Sequence, residues 1–169
     1  MYTNDVVAEL INRYSADGTI LQAVYSVLMT VERESVCTTA AMHGHLSILK
    51  YLRSHGCPWD ASTCEMAAIH GHQQVLQYAH ESGCPWNNET INLAAQKGHM
   101  DVVQYLRLCG CAWNERTCRM AAQSGYLDLL QFLHTNGCPW DRSTWSAASE
   151  KGHQHILSYL RARRCPGFT

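Results

Sequence analysis

The sequence lacks the features that gather nucleic acid, cross a membrane or direct a chain to secretion. Its formal net charge is −1 at pH 7, so it offers no field that attracts polyanions or anionic lipid. No apolar run reaches the length of a membrane span. Asp5 and Glu9 stand where a signal peptide carries basic residues. We therefore expect a cytoplasmic or nuclear protein that binds neither nucleic acid nor a membrane.

Residue patterns typical of catalysis and of metal binding are also missing. No serine or cysteine nucleophile stands out with a matched base, and no glycine-rich phosphate loop is present. The nine cysteines include no Cys-x-x-Cys pair, the short chelating spacing on which structural zinc sites usually rely. We therefore predict a protein that is not an enzyme and that uses no metal ion or other cofactor.

What the chain does have is a repeat of 27 residues. Cys-Pro-Trp-Asp at residues 57–60 returns as Cys-Pro-Trp-Asn at 84–87, and the period continues at Cys111 and Cys138. A fixed period in this range is typical of stacked supersecondary units and not of one globular core. The five blocks, which together form a repeat domain over residues 30–164, cover residues 30–56, 57–83, 84–110, 111–137 and 138–164.

Each block predicts two short helices, as block 57–83 illustrates. Asp60 is a good N-cap residue, and the Ala-Ala pair at 67–68 leaves little bulk, so that a second helix can approach closely. Gly71 suits the left-handed residue that ends the first helix, and residues 75–79 give the second helix a buried stripe. Helices this short must bury their apolar faces against neighbouring blocks. We therefore predict an all-α fold of stacked helix-turn-helix repeats.

The two ends of the array differ from its middle. Residues 1–29 lack the signature but have the apolar spacing of a helix pair, which we interpret as a degenerate N-terminal capping repeat. Arg161, Arg163 and Arg164 make the last helix more polar, as a C-terminal cap requires. Residues 165–169 then form a C-terminal tail.

The string Ala-Ala-x-x-Gly-His-x-x-Val-Leu-x-Tyr-Leu-x-x-x-Gly, on which the blocks are built, resembles the core of the ankyrin repeat. More narrowly, Cys-Pro-Trp-Asp-x-x-Thr-Cys is similar to the short ankyrin-like arrays of protists, algae, oomycetes and giant viruses. The resemblance covers residues 30–164. It implies an ankyrin-like solenoid with a non-enzymatic role as a protein–protein interaction module or scaffold.

The blocks are shorter than an ordinary ankyrin unit, which has about 33 residues and includes a β-turn element. The stretch from Gly83 to Thr90 is about six residues shorter than that norm. We therefore predict that the projecting β-hairpin fingers of ordinary ankyrins are absent. A partner would then bind on helix faces.

Positions that differ between blocks indicate where a partner would bind. On the first helix they recur at i, i+3 and i+7, on the face opposite the Ala-Ala pair, and Ser143 belongs to the same register. The resemblance implies that this face lines a concave groove, and the alternative is an ordinary solvated surface. The predicted partner-binding residues are Ser62, Glu65, Ile69, Glu89, Asn92, Gln96, Arg116, Arg119, Gln123, Ser146 and Glu150.

Cysteine and histidine suggest an alternative function, a metal or redox sensor. Cys57, Cys64 and His70 or His72 are the candidate ligands, but Ile91 stands at the register of Cys64 in the next block. Cysteines at equivalent positions would lie about 8–10 Å apart, too far for a disulfide, whereas a bond between Cys57 and Cys64 stays open. We favour small buried thiols that pack beside alanines in a reducing compartment.

Tryptophan and histidine also recur at fixed places. Trp59 and its equivalents are expected to cover the seam between blocks, and an exposed ladder that grips a peptide is the alternative. His72 is expected to cap backbone amides or to pack across the turn, without a catalytic role. A structural protein that self-assembles is the remaining hypothesis. Otherwise we expect a monomer or a weak homo-oligomer.

Overall fold

The structure, a computed structural model, describes residues 33–167. Within that range every regular element is an α-helix and no strand is present, which confirms the all-α prediction for those residues. The helix pair predicted at 1–29 lies outside the described residues. The helices are α1 (Arg33–Met42), α2 (Leu46–Ser54), α3 (Ala61–Ile69), α4 (Gln73–Glu81), α5 (Asn88–Lys97), α6 (Met100–Leu108), α7 (Glu115–Ser124), α8 (Leu127–Thr135), α9 (Arg142–Glu150) and α10 (Gln154–Ala162).

Each block of the sequence contributes two consecutive helices. We call the odd-numbered helices the first helices and the even-numbered helices the second helices. Four of the first helices begin after the polar residue that the sequence predicts as the N-cap. The Oδ1 atom of that residue accepts a hydrogen bond from the backbone N–H two positions along, at 2.7–3.0 Å, and such a cap contributes about 1 kcal/mol. The four capping residues are Asp60, Asn87, Asn114 and Asp141.

Left-handed glycines end the helices. Gly98 follows α5 with φ +80°, and Gly71, predicted to have this conformation, has φ +73°. A second glycine register follows the second helices in four blocks. In the fifth block that register holds Arg164 at φ +55°, which is the only positive φ outside glycine among residues 33–167.

The chain divides into two compact units, which we describe separately. In the first unit, Met1–Trp86, α1 packs beside α3, and α2 packs beside α4. The first helices supply small residues to the core and the second helices supply branched ones, as the sequence predicts. Buried residues of α3 and α4 include Cys64, Ala67, Ala68, Val75, Leu76 and Ala79.

In the second unit, Asn87–Thr169, α7 contacts both α5 and α9. Each first helix also packs on the second helix of its own block. Leu130 and Leu133 of α8 and Leu160 of α10 are fully buried, and each such leucine contributes roughly 1.5–3 kcal/mol. The packing of the first helices against one another leaves their opposite face accessible, and that face carries the candidate site.

Candidate functional site

The predicted binding residues lie on the first helices, on a surface that we call the first-helix face. Eight of the eleven are half-buried, Arg116 and Glu150 are exposed, and Asn92 is buried. Each unit carries its own set of these side chains, and the two sets are engaged to different degrees.

In the first unit, Ser62 is partly committed to bonds inside the protein. Its hydroxyl donates to the Asp60 carboxylate and lies 3.1 Å from Thr38 Oγ1 on α1. Glu65 and Ile69 follow one and two turns further along α3, and both are half-buried. The Ser62 hydroxyl therefore helps to join neighbouring first helices as well as lying on the first-helix face.

In the second unit, Glu89 and Arg116 pair with each other. Arg116 Nη1 lies 2.7 Å from Glu89 Oε2, and Nη2 lies 2.9 Å from Oε1, so the pair is bidentate across α5 and α7. Both side chains are partly exposed, and such a surface pair contributes about 0–1 kcal/mol. The two charges neutralise each other, which leaves the charge of Arg119 as the cation available on α7 of this face.

Asn92 corrects the predicted site. It is only 2% exposed, so a partner does not reach it. Its Oδ1 atom accepts a hydrogen bond of 2.7 Å from Thr117 Oγ1 on α7, and its Nδ2 atom donates to Glu89 at 3.4 Å. A contact in the same register joins Thr38 and Thr63 at 3.3 Å in the first unit. A short polar side chain at the register of Asn92 therefore bonds to the next first helix and contributes to helix packing.

Arg119 occupies the register of Asn92 on α7, and Thr144 occupies that of Thr117 on α9. The hydrogen bond expected from that register is missing. The Nε atom of Arg119 and the Oγ1 atom of Thr144 are both buried, and neither has a hydrogen-bond partner. Thr144 is fully buried. The seam between α7 and α9 thus leaves two polar groups unsatisfied, which is uncommon in protein interiors.

An open groove with a volume of about 550 Å³ lies beside this seam, and we call it the α7–α9 groove. The structure brings Arg119, Gln123, Ser146 and Glu150 of the predicted site together along it, with Ser143 of the same register. The complete lining is Arg119, Met120, Gln123, Arg142, Ser143, Ser146, Ala147 and Glu150.

Arg142 is a groove residue that the sequence reasoning missed. It is the first residue of α9 and precedes Ser143, so it lies outside the i, i+3, i+7 pattern. The sequence does mark this residue, because Arg142 is a cation at a position where the second block has Ala61 and the third has Asn88. Its side chain lines the groove that α7 and α9 share.

The recurrent histidines join one block to the next. His72 Nε2 donates to the carbonyl oxygen of Met42 at 3.0 Å, and His153 Nε2 donates to that of Gln123 at 3.0 Å. Neither histidine makes a side-chain capping bond at its own helix. The prediction that His72 caps backbone amides is therefore wrong, and packing across the turn is confirmed. The ring satisfies a carbonyl near the end of the preceding first helix instead.

The tryptophans at the turns are half-buried under side chains of the preceding second helix. The Arg53 guanidinium lies 4.0 Å from the centre of the Trp59 ring, and His80 stacks on Trp86 at 3.5 Å. Trp59 also meets Tyr78 edge to face at 6.1 Å. These contacts confirm that the tryptophans cover the seam between blocks.

None of the nine cysteines forms a disulfide, so a Cys57–Cys64 bond is not present. Eight are buried and Cys109 is exposed. A hydrogen bond to the Cys84 thiol, together with burial, raises the pKa of Cys64. Burial raises the pKa of Cys111 to about 11. Both thiols therefore stay protonated at neutral pH, the form that is a poor nucleophile and a poor metal ligand.

The comparisons with known proteins assign no function to the chain. No protein-family model matches the chain, and no curated protein matches it. Within the described residues, no group of three or more histidine, cysteine, aspartate or glutamate side chains is placed to hold a metal ion. Residues 33–167 contain no helix with the length and apolarity that crossing a bilayer requires.

Proposed function

We propose that this chain is a non-enzymatic protein–protein interaction module, built as an ankyrin-like array of helix pairs, that binds another protein on the first-helix face. The observation that carries the proposal is a separation of residues by register. Residues shared between blocks, such as Ala121 and Ala122, are fully buried. Residues that differ, such as Gln123, Ser146 and Glu150, line the open α7–α9 groove. A variable surface on a constant scaffold suits recognition.

The chemistry of the α7–α9 groove favours a protein partner over a small molecule. Ligand sites for small molecules are mostly apolar and enclosed, whereas this groove is open and lined mainly by charged, amide and hydroxyl side chains. Met120 and Ala147 are the apolar side chains of the lining. Mixed polar surface of this kind is typical of non-obligate protein interfaces.

The cysteines support a cytoplasmic or nuclear location for the module. None of the nine forms a disulfide, and eight of them are buried. Reduced thiols in this number suit a compartment where glutathione and thioredoxin act. The proposal includes no cofactor.

A pull-down with variants of each part of the first-helix face tests the proposal. Ile69→Asp changes the face in the first unit, and Arg119→Glu changes it in the second. Gln104→Glu adds a charge at an exposed position of α6 and is the matched control. Circular dichroism verifies that each variant is folded. We expect a partner that binds the parent and Gln104→Glu equally well to bind at least one face variant about tenfold more weakly. Unchanged recovery with both folded face variants would show that the first-helix face is the wrong surface.

A further inference from the structure

The α7–α9 groove carries charged side chains that form no ion pair with any residue that the structure describes. Arg119 on α7 and Arg142 at the start of α9 both line it, and neither forms an ion pair with a described residue. Asp141, the carboxylate next to Arg142 in the chain, caps α9 through Ser143. Hydrogen bonds from Ser143 and, as the smallest cause, the Arg119 charge lower the pKa of Asp141, without an ion pair between Asp141 and Arg119. Glu150, the last residue of α9, is exposed at the other end of the groove and also has no ion-pair partner among the described residues.

Arg119 is in addition short of a hydrogen-bond acceptor. Its Nε atom is buried without a partner, as is Oγ1 of the fully buried Thr144. The same register in the preceding block holds the 2.7 Å bond between Thr117 and Asn92. An unsatisfied buried donor is destabilising, so an arginine at this position weakens the seam. The buried Nε is out of reach of a partner, but the Arg119 side chain also lines the groove, so its remaining guanidinium N–H groups can donate hydrogen bonds to an occupant there.

We propose that the α7–α9 groove binds an extended peptide segment of a partner protein through a carboxylate held by Arg119 and Arg142. The inference rests on the proposed function, because it names the partner of the same face. A carboxylate accepts paired hydrogen bonds from a guanidinium and neutralises its charge. An aspartate or glutamate side chain therefore matches what the two arginines lack.

Glu150 sets the direction and the spacing of the segment. Arg142 and Glu150 are eight residues apart on α9, which corresponds to about 12 Å along the helix axis. An extended chain covers that distance in about four residues. The segment carries its acidic residue at the arginine end and, about four residues along, a lysine or arginine that pairs with Glu150.

Binding of synthetic peptides to the purified full chain tests the assignment. The probes are short Gly-Ser peptides with one Glu and one Lys at increasing separations, in both orders, measured by fluorescence anisotropy. We expect the tightest binding at a separation of about four residues. Replacing Glu by Gln should weaken that binding about tenfold, because the bidentate pair is lost.

Variants of the protein give the complementary arm. Arg119→Asn removes the cation and places at residue 119 the side chain that Asn92 has at the equivalent position, where it bonds to Thr117. An amide there can bond to Thr144 in the same way, so the variant should unfold at a urea concentration no lower than the parent. It should bind the Glu peptide about tenfold more weakly. Arg142→Gln should weaken binding similarly. Arg163→Gln removes an exposed cation after α10 and serves as the control, with a change of less than about twofold.

Four results would overturn the carboxylate assignment. They are equal binding of Glu and Gln peptides, undiminished binding by Arg119→Asn, a phosphoserine peptide preferred over the Glu peptide by more than about tenfold, and the absence of binding by every peptide. The proposed function fails separately, when the face variants in the pull-down leave every partner bound.

Discussion

The imidazole of His153 occupies the space into which a side chain on Gly125 would have to extend. A Cβ atom on Gly125 would lie 2.9 Å from His153 Cε1, and the glycine has φ +88°. The same ring donates through Nε2 to the carbonyl oxygen of Gln123. Glycine is therefore required at this turn for its backbone conformation and for the close approach of the next block.

Alanine substitutions separate these two requirements. Gly137 has φ +81°, but a Cβ there would meet nothing within 4 Å, so Gly137→Ala is the matched control. We expect Gly137→Ala to lower the free energy of unfolding by about 1 kcal/mol through left-handed strain. Gly125→Ala should lower it by roughly 1–3 kcal/mol more, because His153 must move. Urea unfolding measures both, and equal losses would contradict the proposed contact.

Arg164 provides the reverse experiment. It adopts φ +55° at the register where four other blocks have glycine. Arg164→Gly should raise the free energy of unfolding by about 1 kcal/mol, since glycine adopts this conformation without strain. Arg163→Gly is the control, because it removes the same charge at φ −97° and should give no gain. The explanation fails if the two variants unfold at the same urea concentration.

We expect His134 to make the free energy of unfolding depend on pH. It stacks on Trp140 at 3.7 Å, and burial, with the Arg163 charge as a second cause, lowers the pKa of His134. Because the folded pKa lies below the unfolded value of about 6.5, His134 binds a proton in the unfolded chain at pH values where it stays neutral in the folded chain. The contribution is complete above about pH 6.5 and is lost as the pH falls through the folded pKa.

We therefore expect the free energy of unfolding to decline on acidification below about pH 6.5. His134→Phe, which retains an aromatic ring over Trp140, should make the decline shallower. Urea titrations at several pH values measure it. If the free energy of unfolding of His134→Phe depends on pH as steeply as that of the parent, His134 is not the cause of the decline.

The cysteines predict a simple pattern of chemical reactivity. In the folded protein a thiol reagent should modify Cys109 rapidly, because it is exposed, and the eight buried cysteines slowly. In denaturant all nine should react. Cys109→Ser should abolish the fast phase. Rapid reaction of several thiols in the folded variant would instead favour the redox-sensor alternative.

Much of the local structure follows directly from residue types in the sequence. Asp60 caps α3 because its short side chain reaches a backbone N–H that has no partner inside the helix. Gly71 takes a left-handed conformation that other residues adopt at a cost. Leu76 is buried because short helices need an apolar stripe. Each of these features depends on residues close together in one block.

The candidate site was less predictable because it depends on contacts between blocks. Asn92 shares its register with Arg119, yet one is buried by a bond to Thr117 and the other lines a groove. The pairing of Glu89 with Arg116 likewise joins residues 27 positions apart. A repeat period shows which positions are equivalent, whereas the side chain in the neighbouring block decides whether a position is open to a partner.

Photo-crosslinking tests the central claim most directly. A photoreactive phenylalanine analogue at Gln123 lies along the α7–α9 groove, and the same analogue at Gln104 lies on the exposed side of α6. We predict that irradiation in a cell extract yields a protein crosslink at Gln123 that a Glu-containing groove peptide suppresses, with none of that product at Gln104. The same crosslinked protein from Gln104 alone, or from both positions equally, would contradict binding on the first-helix face.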